Sequence, residues 1–275
     1  MPLSITEQLS YSTVRLECQT PSGLSTGTGF FFKFLENENG HVPVIVTNKH
    51  VIQNATAGRF IITKSDAQGN PIQTDHFTVN ITADFQQFWR HHPDPNVDLC
   101  AMPLAPVVNA AEQQGQRLFY VVFDRSLLPT AEQKNDFHAL EDILMVGYPN
   151  GIWDAVNNQP IFRKGTTATH PNIDYNGKKE FMIDVACFPG SSGSPVMIYN
   201  SSGYTTRQGN IMMGNPRLIL MGILYAGPQH TATGEIRIVN VPQLQLPTAI
   251  SRIPNNLGLV IKSERLLELE QLFEN

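Results

Sequence analysis

The sequence predicts an all-β protein that ends in one short helix. Short runs rich in Val, Ile, Thr and Phe recur along most of the chain. Polar or Gly/Pro-containing clusters separate these runs, a pattern typical of antiparallel sandwiches and barrels. Residues 263–275 differ, because their leucines recur at helical spacing.

The first half of the chain, residues 8–122, contains six predicted strands and one predicted helical stretch. Asn39-Gly40 marks a turn between the second and third strands, since this dipeptide favours a tight reversal of the chain. The polar stretch from Val107 to about Gln116 is compatible with a helix. The predicted strands are Thr13–Thr20, Thr26–Phe34, Val42–Thr47, Arg59–Thr63, His76–Ile81 and Asp98–Leu104.

Residues 123–142 are more charged and contain a proline, so we expect them to connect the two halves. Ser263 is the predicted N-cap of the terminal helix over residues 263–275, and its apolar side chains are expected to dock on the second half. The predicted strands of this second half, residues 143–262, are Ile143–Gly147, Glu180–Ala186, Pro195–Tyr199, Arg217–Tyr225, Glu235–Val239 and Leu257–Lys262.

Composition and charge exclude several classes of protein. Only 16% of the 275 residues are charged, whereas 41% are hydrophobic, so a disordered chain is not expected. The net charge of −5 offers no basic surface for nucleic acid. The longest apolar run, around Leu218–Ala226, is shorter than the roughly 18 residues that a spanning helix needs. We therefore expect neither a nucleic-acid nor a membrane partner.

The N-terminus and the cysteines bear on the cellular compartment. The first residues, MPLSITEQLSYSTV, lack the basic and apolar regions of a secretory signal, so a cytoplasmic location is expected unless a leader has been trimmed. Three cysteines cannot all pair with one another. Cys18 and Cys100 lie in apolar strands and are expected to be buried reduced thiols. Cys187 is expected in the core or in a pocket wall.

Three short segments carry residue types that together perform nucleophilic catalysis. The strand VIVTNKHV delivers His50, the segment NVDLCAM begins an apolar strand with Asp98, and the turn PGSSGSP contains Ser192. Serine needs an adjacent base to act as a nucleophile at neutral pH, and histidine titrates in that range. A buried aspartate orients such a histidine. Small residues beside the serine let backbone N–H groups approach a developing oxyanion.

Each of these residues also has a structural explanation when it is taken singly. A histidine can simply end a strand, an aspartate can cap a turn, and residues 190–195 can form a tight reversal. Asp94, which lies between two prolines, is the alternative acid to Asp98. His91 and His92 suggest a metal site, but no matching Cys or His cluster follows, so a surface loop is favoured. We expect no metal and no other cofactor.

These motifs resemble those of the trypsin-like (chymotrypsin-fold) serine peptidases, and most of all the disulfide-free bacterial Do-like and glutamyl endopeptidase branch. TNKHV resembles the histidine motif, VDLCAMPL the aspartate motif and PGSSGSPV the nucleophile motif. The order His, Asp, Ser is the order of that family. The resemblance covers roughly residues 10–270. It implies two six-stranded antiparallel β-barrels, residues 8–122 with the histidine and aspartate and residues 143–262 with the serine, followed by the C-terminal helix.

The resemblance also implies a role for each matching residue. Ser192 would be the nucleophile of a serine endopeptidase that works through an acyl-enzyme, His50 its general base and acid, and Asp98 the orienting carboxylate. The N–H groups of Gly190 and Ser192 would form the oxyanion hole. The primary pocket would have Ala186 at its floor and walls from Tyr225, Ala226, Gly227 and Leu259. It would accept small or medium apolar side chains of a peptide or protein substrate.

Two departures from the family bear on regulation. Ser191 stands where trypsin has the aspartate that captures a new N-terminal ammonium, so we expect activity without N-terminal cleavage. Restraint by a loop or by a regulatory partner is then expected instead. The alternative function is a catalytically silent peptide-binding or regulatory module on the same fold. An α/β-hydrolase esterase is excluded by the residue order and by Ser194, where its motif needs glycine.

Overall fold

The computed structural model describes residues 2–38, 40–214, 216–227, 229–235, 248–254 and 256–274. These residues contain five short α-helices: α1 (Ile5–Leu9), α2 (Lys49–Ile52), α3 (Ala105–Gln113), α4 (Ala131–Asn135) and α5 (Leu266–Glu270). They also contain eighteen strands: β1 (Thr13–Thr20), β2 (Gly23–Asn37), β3 (Gly40–Thr47), β4 (Ala57–Ser65), β5 (Pro71–Ile81), β6 (Arg90–His91), β7 (Cys100–Pro103), β8 (Leu118–Phe119), β9 (Asp142–Gly147), β10 (Ile161–Thr167), β11 (Glu180–Asp184), β12 (Pro195–Asn200), β13 (Gly203–Thr205), β14 (Ile211–Met213), β15 (Arg217–Ala226), β16 (Gln229–Glu235), β17 (Thr248–Pro254) and β18 (Leu257–Lys262).

The C-terminal half contains the predicted six-stranded barrel. Its strands close in the order β10-β11-β18-β15-β12-β9, and every neighbouring pair is antiparallel. Side chains such as Phe181, Ile183 and Val196 fill its interior with less than 1% exposure. The prediction of an antiparallel barrel in this half is confirmed.

The N-terminal half differs from the predicted six-stranded barrel. Its strands form one eight-stranded sheet in the order β5-β4-β1-β2-β3-β7-β6, with β8 paired to β4. In the described part of this half, the edge strands β5 and β6 do not pair, so a second closed barrel is not confirmed. Residues of both edges and of α3 instead line an apolar crevice of about 490 Å³. The crevice lies where a closed barrel would have backbone hydrogen bonds between its edge strands.

Strand β2 joins the two β-structures. Successive side chains of a strand point to opposite faces, and β2 buries both of its faces. Phe31 packs with Val14 and Ile45 inside the N-terminal sheet. Phe30 and Phe32 belong instead to a core cluster that also includes residues of the C-terminal barrel. This shared cluster fixes the sheet against the barrel, and therefore fixes residues carried by one relative to the other.

The C-terminal segment is helical from Ser263 to Phe273, with α5 flanked by two 3-10 turns. Leu266, Leu269 and Phe273 are buried in the shared cluster, and the Phe273 ring lies 5.3 Å from that of Phe34. The helix therefore packs on both halves rather than on the second half alone. The predicted N-cap is wrong, because the Ser263 hydroxyl is buried without a hydrogen-bond partner in the described residues.

The other predicted elements agree with the structure within a few residues, with two exceptions. Strand Glu235–Val239 lies outside the described residues beyond Glu235, as does Asn39 of the predicted turn. Strands β6, β8, β10, β13, β14 and β17 and helices α1, α2 and α4 were not predicted. Residues 123–142 contain α4 and a 3-10 turn at Arg125–Leu127, and the boundaries of the two predicted domains stay predictions.

The three cysteines are all described, and all are free and buried, as predicted. Burial raises the pKa of Cys18 to about 12 and that of Cys187 to about 11, so both thiols stay protonated at neutral pH. Among the described residues, no helix has the length and the apolarity that a membrane crossing requires.

Candidate active site

Two neighbouring strands bring the predicted histidine and aspartate together. Strand β3 is buried along its second half and ends at Thr47, and α2 places His50 in the first turn after it. Strand β7 pairs with β3 so that Cys100 lies opposite Thr47. Asp98 lies two residues before the start of β7, so it lies at the same edge of the sheet as His50.

The Asp98 carboxylate holds His50 by two hydrogen bonds. Oδ2 lies 2.5 Å from Nδ1 of the imidazole, and Oδ1 accepts the backbone N–H of His50 at 3.0 Å. The Asn48 side chain donates to the Asp98 carbonyl at 2.8 Å and so fixes the aspartate in turn. A carboxylate at Nδ1 orients the ring and leaves Nε2 available to another partner.

Asp94, the alternative acid, faces a different part of the molecule. Its carboxylate lies 2.9 Å from the Arg265 guanidinium at the C-terminal helix and also accepts the N–H of Asn96. These two bonds lower the pKa of Asp94. Asp98, and not Asp94, is therefore the acid beside His50.

The prediction that His91 and His92 lie in a surface loop is only partly correct. His91 is exposed in β6, but His92 is only 3% exposed, so the surface assignment is wrong for His92. Its Nδ1 accepts the N–H of Asp94, and its Nε2 lies 3.4 Å from a Glu268 oxygen. Burial lowers the pKa of His92. In the part of the chain that the structure describes, no three potential ligands group as a metal site would require.

The turn that carries Ser192 needs its glycines for contact with the rest of the molecule. Gly190 and Gly193 have positive φ values of +83° and +88°. A Cβ on Gly193 would lie 1.8 Å from the Thr28 carbonyl oxygen, and one on Gly190 would lie 2.6 Å from that of Tyr148. The turn therefore packs directly against β2 and against residues 148–151.

Thr28 ties this turn to the N-terminal sheet, a role that the sequence did not reveal. Its N–H donates to the Ser192 carbonyl at 2.9 Å, and its buried hydroxyl donates to the Gly190 carbonyl at 2.9 Å. The same hydroxyl accepts the N–H of Tyr148 at 3.1 Å. The sequence signal for this role is limited to the small residues around Thr28 in Gly27-Thr28-Gly29.

The backbone of the turn leaves two N–H groups available. Within the described residues, the N–H groups of Gly190 and Ser192 have no hydrogen-bond partner. The carbonyls of their peptide groups are both held: that of Pro189 accepts the N–H of Asn150 at 2.6 Å, and that of Ser191 accepts the N–H of Ser194 at 3.0 Å. Since C=O and N–H point in opposite directions in a trans peptide, these bonds aim both N–H groups away from their supports.

Ser192 and His50 line one cavity of about 300 Å³. The Ser192 hydroxyl donates to the Tyr225 carbonyl at 3.4 Å. No hydrogen bond joins Ser192 to His50 in the described residues. Of the predicted pocket residues, Tyr225, Ala226 and Gly227 line the cavity, whereas Ala186 and Leu259 are absent from its described lining. The full set is Ser25, Thr26, His50, Val51, Cys187, Phe188, Pro189, Gly190, Ser192, Leu224, Tyr225, Ala226 and Gly227.

Behind this cavity lies a second unpredicted residue, Arg163 of β10. Its Nη1 donates to the Ala186 carbonyl at 2.6 Å and to the Ser191 hydroxyl at 2.9 Å. Burial lowers the pKa of this guanidinium to about 10, so it stays charged at neutral pH. Ala186 is thus engaged from behind through its carbonyl.

Comparisons with known proteins identify the family of this chain. The family model of the trypsin-like peptidase domain matches residues 27–203. No curated protein matches the sequence. Among solved structures, a serine-to-alanine mutant of Rv3671c from M. tuberculosis H37Rv, in an inactive form, is 12% identical with a TM-score of 0.44, over 97% of this chain and 89% of that one.

Two further structures are similar at the same level. The serine endoprotease from Yersinia pestis is 13% identical with a TM-score of 0.47, over 99% of this chain and 67% of that one. An HtrA-type protease with a tripeptide is 14% identical with a TM-score of 0.47, over 98% of this chain and 63% of that one. The family model, rather than these structures, decides the assignment. Because it matches more than half of the sequence, this chain belongs to the trypsin-like peptidase family and is a serine protease whose substrates are peptides or proteins.

Proposed function

We propose that the protein is an endopeptidase in which Ser192 forms an acyl-enzyme with the substrate. Oγ of Ser192 attacks the carbonyl carbon of the scissile peptide bond, and its proton passes to Nε2 of His50. Asp98 remains ionised and stabilises the imidazolium. The imidazolium then gives the proton to the leaving amine as the C–N bond breaks. A water molecule attacks the ester in the same way and releases the acid and the free serine.

The negative charge that develops on the substrate carbonyl oxygen needs donors that are already in place. The unpaired N–H groups of Gly190 and Ser192 would supply them. The observation that supports the proposal most is the combination of these groups with the Asp98–His50 contact of 2.5 Å at one cavity. Each feature alone has a structural explanation, whereas their convergence matches the needs of acyl transfer.

The hydroxyl of Ser192 is turned toward Tyr225 in the free protein, and this favours a second candidate. A catalytically silent module would retain the cavity for peptide binding without attack by the serine. For catalysis, rotation about χ1 of Ser192 must direct Oγ toward His50. Serine has three staggered χ1 rotamers, and catalytic hydrogen bonds are often loose in free enzymes and tighten when substrate binds. We therefore favour the enzyme.

We further propose that the primary pocket accepts small or medium apolar side chains. Cys187, Phe188 and residues 225–227 contribute its walls, and its described lining contains no Asp, Glu, Lys or Arg side chain. Burial of an apolar side chain is worth about 1.5–3 kcal/mol, so discrimination among such residues should be loose.

Peptide-library profiling of the wild type against Ser192→Ala tests activity and preference together. We expect the wild type to cleave after small and medium apolar residues, and the variant to lose this cleavage. Equal cleavage by both proteins would indicate a contaminant or another nucleophile. Binding of peptides without cleavage by the wild type would support the silent module, and cleavage mainly after acidic or basic residues would contradict the proposed pocket.

A further inference from the structure

Arg163 is a half-buried arginine whose guanidinium has no described carboxylate partner. It lies on β10 of the C-terminal barrel, opposite Met145 of the paired strand β9. Its Nη1 makes the two bonds to the Ala186 carbonyl and the Ser191 hydroxyl. Its Nε and Nη2 are buried and have no hydrogen-bond partner in the described part of the chain.

Such an arrangement is unfavourable for stability. A buried charge is costly unless it is paired, and a buried donor without an acceptor loses its hydration without compensation. Apolar replacements of buried ionic groups are often neutral or stabilising. A methionine at this place would fill similar space without the buried charge. The two bonds that the guanidinium does make therefore indicate a role other than stability for Arg163.

Those two bonds span the segment that precedes the nucleophile. Ala186 begins the segment and Ser191 ends it, and both are held by one nitrogen atom of a planar guanidinium. Residues 187–189 between them form one wall of the cavity. The Gly190 N–H also belongs to this segment, and the Ser192 N–H belongs to the peptide group that Ser191 begins. One side chain thus contacts both ends of the segment that contains the cavity wall and the Gly190 N–H.

Arg217, another half-buried arginine of the same barrel, has contacts typical of a structural role. Arg217 forms an ion pair with Glu141 at 2.9 Å, donates to the Asn200 side chain and lies over the Tyr204 ring. Its contacts do not involve residues 186–192. It provides a matched control for the loss of a buried arginine.

We propose that Arg163 is a positioning residue of the protease, and that its guanidinium holds residues 186–191 so that the N–H groups of Gly190 and Ser192 both face the substrate carbonyl oxygen. The inference rests on the proposed function of Ser192. In this proposal, the internal side chain of Arg163 orders the segment beside Ser192. The protein therefore needs no new N-terminus for this step.

The test compares Arg163→Met, Arg163→Ala and Ser191→Ala with Arg217→Met, in peptide hydrolysis and in amide hydrogen exchange of residues 186–192. We expect Arg163→Met to lower kcat about tenfold to a hundredfold with little change in KM, since loss or misplacement of oxyanion donors costs rates of this order. Ser191→Ala, a small change, should lower kcat in the same direction. Both should speed exchange in residues 186–192. Arg217→Met should lower the melting temperature but leave kcat and this exchange unchanged.

Chemical rescue provides a readout that a general loss of stability does not move. Guanidinium chloride, at concentrations far below those that unfold proteins, should restore part of the kcat of Arg163→Ala and none of that of Ser192→Ala. If Arg163→Met does not fold, Ser191→Ala and this rescue decide the question. Activity and exchange at wild-type values in folded Arg163→Met, or absence of both rescue and an effect of Ser191→Ala, would overturn the proposal.

Failure of the proposed function has a different signature. An inactive wild type would contradict catalysis by Ser192. Faster exchange of residues 186–192 in Arg163→Met, but not in Arg217→Met, would still support the positioning of this segment by Arg163. If the wild type is active and the Arg163 variants have unchanged exchange and unchanged kcat, the positioning role of Arg163 is contradicted, but the proposed function is not.

Discussion

The two oxygens of the Asp98 carboxylate contact two different groups of His50, its Nδ1 and its backbone N–H. The first bond sets the orientation of the imidazole, and the second sets the position of α2 relative to β7. Because both bonds use one carboxylate, replacement of a single oxygen by an amide nitrogen disturbs the ring without removing the side chain. Asp98→Asn is therefore an informative substitution.

We expect Asp98→Asn to lower kcat by about 10³- to 10⁴-fold, since an amide at this place favours the wrong tautomer of the histidine. The melting temperature should change little, because the amide has nearly the same shape as the carboxylate. Steady-state hydrolysis of a preferred peptide measures the effect.

Asp94→Asn is the matched control, since it lies in the same loop but contacts Arg265. It should keep kcat within a few-fold of the wild type. If Asp94→Asn were the more damaging of the two changes, the assignment of the orienting acid to Asp98 would be wrong.

At the scale of elements, the short turn at residues 148–151 supports the turn that carries Ser192. Asn150 has a left-handed backbone with φ +53°, and this conformation directs its N–H to the Pro189 carbonyl at 2.6 Å. The N–H of Gly151 closes the turn onto the Tyr148 carbonyl, and Arg15 of β1 holds the Gly151 carbonyl at 2.9 Å. The N-terminal sheet thus contributes to the position of the Gly190 N–H.

Asn150→Val should weaken this support, because β-branched residues tolerate the left-handed conformation poorly, at a cost of about 1–2 kcal/mol. We expect kcat to fall by up to about a hundredfold with KM little changed, whereas Asn150→Gly should keep wild-type activity. The measurement is the kcat and KM of both variants.

Asn176→Val is the control for strain alone, since Asn176 has φ +52° in an exposed turn remote from the cavity. It should affect stability and leave kcat unchanged. Equal loss of activity in Asn150→Val and Asn176→Val would show that strain anywhere in the barrel, rather than this support, limits the rate.

The sequence predicts elements well where one periodicity dominates. Strand β1 has the predicted bounds, Thr13–Thr20, because its alternating apolar residues face a buried neighbour. Strand β10 is missed, because Arg163, Lys164 and Gly165 interrupt its apolar pattern. The contacts of Arg163 are with residues 186 and 191, which are distant in sequence, and no local pattern encodes such contacts. Ser263 has the right residue type for a cap, but the turn begins at Ser263 itself.

At the scale of the whole molecule, the site exists only because the N-terminal sheet and the C-terminal barrel share a core. Phe30 and Phe32 of β2 pack with Leu144 and Val146 of the barrel in that core. Two residues before Phe30, the backbone and hydroxyl of Thr28 bind the nucleophile turn. The strand that joins the two β-structures is therefore also the strand that brings Ser192 to the edge where His50 lies.

The placement of His50 beside Asp98, and of His50 and Ser192 at one cavity, was predictable because the order and the motifs of these residues are properties of the sequence. The closure of the N-terminal half was not, since it depends on whether edge strands β5 and β6 meet or leave a crevice between them. The supporting contacts of Thr28, Asn150 and Arg163 were not predictable either. They join residues more than twenty positions apart and, except for the bonds from Arg163 to the Ser191 hydroxyl and from the Tyr148 N–H to the Thr28 hydroxyl, they end on backbone acceptors, which leave no mark on residue type.

In the proposed function, residues 50, 98 and 192 act together on one bound carbonyl group. The most direct measurement is the labelling of the folded protein with a fluorophosphonate probe, followed by mass-spectrometric mapping of the modified peptide. We expect labelling of the wild type at Ser192, slow labelling of His50→Ala, and no labelling of unfolded wild type or of Ser192→Ala. Absence of labelling of the folded wild type, under conditions where a known serine hydrolase reacts, or attachment of the probe at another residue, would contradict the proposed function.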